Sequence, residues 1–451
     1  MGTAESRDDE TDGISGVTAA EISESVRDLV ERGTLVAGDR LPPVRTLAER
    51  LGVNRNTVLA AYRTLVTARI ATTGGRTGTT VLGPAATPDE GFTPGTPLRD
   101  IANGNPQAAL LPDLAAALAS VHPSPVLYGE SVIDAGLAEW ATRWIAEDQP
   151  RPFRLSVTAG AVDAVERLLA QTLVHGDRVG LEDPCFLSSI QTARLAGYTP
   201  VAIPVDDEGM TVEGVRDALE SGVRAIVCTP RAHNPTGVSI SPARAAELRE
   251  VLAPHPHVLV IEDDHFSLLA PAPYATVIGP GHERWALVRS VSKFLGPDMR
   301  LALTASDPVT AERLALRLSP GTMWVSHVMQ QLAATMLRDE DVHRLIAEAG
   351  ARYAARNRSF AALVSARGSD VTAESGLNAW VDVREEAAVV AERLAHRGWL
   401  VRPGSEFALE DGSTGGHHLR LTVHDLDDAD LRRLADDIAA ASGPAGAEGD
   451  E

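Results

Sequence analysis

Lysine is all but missing from this chain. Of its 41 basic residues only Lys293 is a lysine, and the other 40 are arginines. A guanidinium stays protonated and cannot act as an amine nucleophile, whereas a lysine amine can lose its proton and condense with an aldehyde. Side-chain amine chemistry therefore falls to one position. Cysteine is scarce as well, and with only Cys185 and Cys228 the chain has neither a disulfide framework nor a zinc site built from thiolates. Residues are 44% hydrophobic, 23% charged and only 4% aromatic. No stretch approaches eighteen uninterrupted apolar residues, so the composition indicates a soluble, globular, multi-domain chain with no membrane partner. The opening MGTAESRDDETDG has neither a basic n-region nor an apolar h-region, which gives a cytoplasmic expectation. A net charge of −21 excludes a chain that coats nucleic acid or membrane over its whole surface, while leaving room for one basic module.

Such a module stands at the start. Residues 14–83 read as a compact helical domain ending in a Thr/Gly-rich hairpin, 84–98 as a Pro/Thr/Gly linker, 99–442 as a large α/β domain, and 443–451 as a disordered acidic tail, like the first dozen residues. Between Ile14 and Pro84 nine arginines face six acids, a net of +3, which leaves −24 on the remainder. Within this head, Arg45 to Leu51 predicts a short helix, Gly52-Val53-Asn54 a turn, and Arg55 to Ala68 a second helix with Val58, Leu59, Tyr62, Leu65 and Val66 as its apolar positions. Asn54 is placed to cap that second helix, whose first turn presents Arg55, Asn56 and Thr57, where a recognition helix meets base edges in the major groove of DNA. Arg45, Arg63 and Arg76 are candidates for phosphate contacts.

In the large domain, β-branched runs (VGLE at 179–182, AIVCTP at 225–230, VLVIEDD at 258–264, ALVRSVSK at 286–293) alternate with amphipathic helical stretches, as in a mostly parallel sheet. Lys293 follows the last of these runs, with Ser290 and Ser292 before it and Arg300 seven residues on. This grouping suits an aldehyde that also carries a phosphate, with the hydroxyls and the guanidinium on the phosphate and the amine on the aldehyde. Asp263, ending another strand, suits a protonated pyridine nitrogen. Asn234, in Asn234-Pro235-Thr236-Gly237 after a third strand, suits donation to a ring oxygen.

These contexts resemble the fold-type I, aspartate-aminotransferase-like domains that bind pyridoxal 5′-phosphate (PLP). The head, from AEISESVRDLVERG through RLPPVRTLAERLGVNRNTVLAAYRTLV to the wing GGRTGTTV, resembles the GntR-type winged helix-turn-helix over its whole length. The resemblance implies an α/β fold: a winged helix-turn-helix followed by a PLP-dependent transferase of fold type I, with a mostly parallel large sheet and a smaller C-terminal domain. It makes Lys293 the lysine that holds the cofactor aldehyde and Asp263 the partner of the ring nitrogen. Asn234 becomes the donor to the ring 3-oxygen, and Gly160, Ala161 and Val162 the phosphate-cradling start of a helix running to Val174. Phe186 is then the aromatic stacked on the ring and Arg420 the arginine for a substrate α-carboxylate. Gly104 and Asn105 fall in the segment that closes over the substrate, and Tyr128 matches a tyrosine reaching the phosphate from a partner subunit, which implies a homodimer. One departure stands out. His265 and Phe266 occupy the seats where the family usually has a tyrosine bonded to the 3-oxygen.

A GntR-type head joined to an aminotransferase-like body is the arrangement of the MocR family of transcription regulators. The resemblance implies that the body senses PLP, or PLP with an amino compound, that the head acts on double-stranded DNA, and that the chain controls vitamin B6 supply. The competing expectation is an amino-acid aminotransferase with an appended DNA-binding head, because the residues for transamination are all present.

Overall fold

The computed structural model describes residues 13–68, 70–74, 78–82, 90–373, 375–409 and 413–443. Arg76, the tip of the wing, the first dozen residues, Gly83 at the end of the expected head, 84–89 of the expected linker and 444–451 of the expected tail lie outside them. The chain divides into two compact units, Met1–Pro88 and Asp89–Glu451.

In the first unit, a helix Ala19–Glu31 is held at its start by a capping box in which the Thr18 hydroxyl accepts from the Glu21 amide and the Glu21 carboxylate accepts from the Thr18 amide. The expected pair of helices follows, Val44–Leu51 and Arg55–Thr67. Gly52 closes the first with φ of 67°, a left-handed conformation open to glycine at little cost. Asn54 caps the second, its Oδ1 accepting from the Asn56 amide at 2.9 Å. Val58, Ala61, Tyr62 and Leu65 are buried against Ile22, Val26, Leu47 and Leu35. Leu59, expected on the apolar face, is instead 38% exposed. It lies about 100° round the helix from Val58, so it misses the stripe that the spacing 58, 62, 65 turns inward. The wing is a two-stranded antiparallel hairpin, Ala71–Gly74 with Gly78–Val81.

The second unit is built on an eight-stranded sheet in the spatial order Arg154–Thr158, Ala302–Ser306, Trp285–Ser290, Leu259–Asp263, Ala225–Cys228, Arg178–Asp183, Thr199–Asp206, Gly209–Met210. The five strands from Trp285–Ser290 to Thr199–Asp206 pair in parallel, and the flanking pairings are antiparallel. These buried strands carry uninterrupted aliphatic runs, as strands covered on both faces must. A smaller C-terminal part has a four-stranded antiparallel sheet and its own core around Trp399, Leu419, Leu421 and Leu434. Two boundaries differ from the sequence reading. Residues 90–98, expected as linker, hold to the body, because the Gly91 amide donates to the Asn103 carbonyl at 3.0 Å and the Thr93 amide to Asp100 at 2.8 Å. The helix expected to run to Val174 is Ala161–Ala170. The Val174 amide turns instead to the Asp177 carboxylate at 2.9 Å, in a tight bend that passes through Gly176 at φ of 88° into the next strand.

Candidate cofactor site and DNA-binding face

In an open parallel sheet the carboxyl ends of the strands all face one edge, which is where such folds bind ligands. Here that edge receives Phe186 after Arg178–Asp183, Asn234 after Ala225–Cys228, Asp263 at the end of its own strand and Lys293 after Trp285–Ser290. The strand Arg154–Thr158 runs the same way and leads through Ala159 to Gly160. Residues far apart in the chain therefore converge on one cavity of about 290 Å³. It is lined by Lys293, Asp263, Asn234, Phe186, Ala161, Val162, His265, Ser290, Ser292, Arg300, Gly104 and Asn105, together with Glu90, Glu182 and Cys185.

At one end of the cavity, Gly160 opens the helix Ala161–Ala170 with φ of 101°, and no side chain caps that helix. The first amides of a helix lack intrahelical partners and, with the helix dipole, favour an anion. Arg300 bends over this turn, donating to the Ala159 carbonyl at 3.1 Å, and a Cβ at position 160 would come within 3.3 Å of its guanidinium.

At the floor lies Asp263, 8% exposed, with a buried Oδ1 that accepts no hydrogen bond among the described residues. Burial raises its pKa to about 7, helped by the neighbouring charges of Asp264 and Glu182. Behind it, Asp264 is fully buried between two arginines. Arg231 donates to it twice, at 3.0 and 2.6 Å, and Arg289 once, at 2.9 Å. Those guanidiniums outweigh burial and hold the Asp264 carboxyl below its usual range. Glu182 accepts from the Thr229 amide at 3.0 Å and lies 3.3 Å from His233.

Lys293 donates to the Gly104 carbonyl at 2.9 Å. Burial, with the charge of Arg420, lowers its pKa against the opposing pull of Glu90, which brings the amine nearer to its reactive neutral form. His265 is pushed down to about 4 by burial and by the lysine charge, so at neutral pH it is an uncharged imidazole with a single ring N–H. Asn234 has its carbonyl oxygen taken by Arg420 at 3.1 Å and Asn378 at 3.2 Å, which leaves its amide NH₂ to donate.

Arg420, fully buried, stands beside this group with its face 4.9 Å from the Phe407 ring. It is not open to solvent, because Glu90 meets it at 2.7 Å. Tyr128 is not brought to the cavity of its own chain. It is 82% exposed and packs edge-on against Trp324 at 5.6 Å. Residues that sequence reasoning missed are Glu90, Glu182, His233, Asn378 and Asp264; for the last, the run Glu262-Asp263-Asp264 was a signal, although composition alone does not say which acid faces inward.

On the head, Arg55 and Asn56 are exposed and Thr57 half-buried, all in the first turn of the second helix. Arg63 is exposed one side further along. Arg45 forms an exposed pair with Glu49 at 3.0 Å, a contact weak enough in water to yield to a phosphate.

Comparison with known proteins agrees with this division. Residues 18–81 match the family described as bacterial regulatory proteins, gntR family, and residues 103–438 match aminotransferase class I and II. The chain is 45% identical, over 95% of its length and 99% of the relative's, to the vitamin B6 salvage pathway transcriptional repressor PtsJ of Salmonella typhimurium. It is 28% identical, over 62% of its length and 64% of the relative's, to the pyridoxine biosynthesis transcriptional regulator PdxR of Corynebacterium glutamicum. Among solved structures, the kynurenine aminotransferase of Pyrococcus horikoshii shares the fold of the body, with a TM-score of 0.70 at 21% identity over 77% of this chain and 91% of that one.

Proposed function

Because the chain belongs to the MocR family of transcription regulators, with a GntR-type head ahead of an aminotransferase class I and II domain, we propose that it binds PLP in its body and double-stranded DNA through its head, and regulates vitamin B6 supply. The relatives named above support the last step, one being a repressor of vitamin B6 salvage and the other a regulator of pyridoxine biosynthesis. The observation that carries the cofactor reading is the buried Asp263 oxygen without a partner among the described residues, in the same cavity as the only lysine. A buried acceptor left unsatisfied is costly, and a protonated ring nitrogen is a donor of the right kind for it. The pKa of Asp263, raised while it is alone, would fall on meeting that cation.

The other residues fit the same group. The uncapped helix start at Gly160, Ala161 and Val162, with Ser290, Ser292 and Arg300, would hold the phosphate, and Phe186 would cover the ring. Asn234 and His265 would donate to the ring oxygen, and Lys293 would hold the aldehyde. Bound there, PLP supplies an aldehyde that captures amines and a ring that withdraws electrons. The protein's own part is to orient the ring, keep Asp263 charged against it and present a lysine whose pKa is lowered by burial. The exposure of Tyr128 supports a homodimer in which it completes the partner's site. No described helix is long and apolar enough to cross a membrane.

The head is tested by Arg55→Ala. Loss of a base contact of this kind costs about 1–3 kcal/mol. The variant is expected to bind DNA from upstream of its own gene more weakly, at fixed salt, and to lose sequence preference while loading PLP as before. Retained affinity and preference would show that the reading face lies elsewhere.

A further inference from the structure

Arg420 is the residue to which the family resemblance gives a ligand's α-carboxylate, and it already has a carboxylate from its own chain. Glu90 Oε1 lies 2.7 Å from Nη1, and among the described residues Arg420 also donates to Asn234 Oδ1 at 3.1 Å and to the Ala102 carbonyl. The pair is deep, with the arginine side chain 0% and the glutamate side chain 24% exposed. Glu90 reaches this position over Gly104, where a Cβ would come within 3.0 Å of its Oε2 and where φ is 65°. Its backbone is anchored, since the next residue, Gly91, donates to the Asn103 carbonyl at 3.0 Å. Burial alone would raise the Glu90 pKa, but Arg420, Lys293 and Arg402 bring it below the ordinary range, so it is an anion at neutral pH. The nearby Arg402 is also engaged, with Glu406 at 3.0 Å.

We infer that Glu90 is an internal carboxylate that occupies the seat of a ligand's α-carboxylate, so that the site favours amines without a carboxylate over α-amino acids. The inference rests on the role given to Arg420 above. Its physical basis is competition. A carboxylate carried by the same chain and held in place acts at an effective concentration that a free amino acid must exceed. An amino acid entering with Glu90 in position would also set two anions against one guanidinium in a confined site. An amine meets neither obstacle, and the residues proposed for PLP are separate from Glu90. In sequence, Glu90 is the second residue of the body unit, so its seat lies at the sequence boundary between sensing and DNA binding.

The test uses the full-length protein loaded with PLP, titrated with L-alanine and with propylamine while the visible spectrum is followed. The readout is the ratio of half-saturating concentrations, alanine over propylamine. The expected result is a ratio well above one for the parent protein that falls by about tenfold or more in Glu90→Gln, the loss of one charged contact. A ratio near one in the parent, or the same ratio in both proteins, overturns the inference. Calorimetry with sodium acetate in the absence of PLP addresses the seat alone. Acetate is expected to bind Glu90→Gln and not the parent, and equal binding to both overturns the inference whether or not PLP loads. Failure of the parent to take up PLP would instead count against the cofactor reading. Should Glu90→Gln not fold, Glu90→Asp, which keeps the charge but draws it back by one methylene, is expected to lower the ratio part of the way; an unchanged ratio there also overturns the inference.

Discussion

Lys293→Ala is expected to abolish the visible band that PLP acquires on binding to a lysine, and to weaken PLP binding by about a hundredfold or more, ~3 kcal/mol at 1.4 kcal/mol per decade. The chain makes this experiment unusually clean. Incidental condensation of PLP with surface lysines cannot contribute, because the chain has no other lysine. The forty arginines cannot substitute, being protonated at any workable pH. The substitution should leave the fold in place, since among the described residues the lysine side chain makes one hydrogen bond, to the Gly104 carbonyl, in a cavity rather than in a packed core. Circular dichroism and thermal melting should therefore match the parent to within a few degrees, ~1 kcal/mol. A visible band that persists in the variant would refute the assignment.

The largest effect on stability is expected at Asp264. Its carboxylate neutralises Arg231 and Arg289, which are both buried, and Arg289 is further enclosed by the Trp144 ring at 4.5 Å and the Tyr274 ring at 5.2 Å. Asp264→Ala leaves two guanidiniums facing one another without their shared anion; Arg289 keeps only its second partner, Asp148. Removing one side of a buried pair costs about 3–5 kcal/mol, mostly because the remaining charge stays buried. That is a large part of a typical domain's stability, so the variant should unfold at a markedly lower denaturant concentration. The Asp263 carboxyl should also become easier to ionise, because the charge of Asp264 is one of the causes that raise its pKa. A loss under 1 kcal/mol, measured by urea unfolding of the body, would mean that the two arginines find other partners.

Much of this architecture was legible in the chain because the signals were local. The turn at Gly52, the cap at Asn54 and the apolar strand runs act over a few residues, and each appears where its spacing put it. Lys293 was conspicuous by rarity, and Asp263 and Asn234 by standing where apolar runs end. Glu90 was not legible, for a physical reason. It lies in a Pro/Thr/Gly-rich stretch whose composition reads as linker, while its meaning comes from Arg420, 330 residues away. The roles of Glu182 and His233 likewise depend on neighbouring strands that the sheet brings together. Leu59 shows the opposite error, an apolar residue counted as core that the helical period turns outward.

The central claim, that cofactor binding in the body controls the head, is tested most directly by measuring affinity for DNA upstream of the protein's own gene at fixed salt, with and without PLP, for the parent and for Lys293→Ala. Coupling between two sites is typically about 1–3 kcal/mol, or roughly 5- to 150-fold in affinity. The account predicts a change of that size, or a changed footprint, on adding PLP to the parent, and none in the variant. Equal affinity and the same footprint in all four conditions would contradict it.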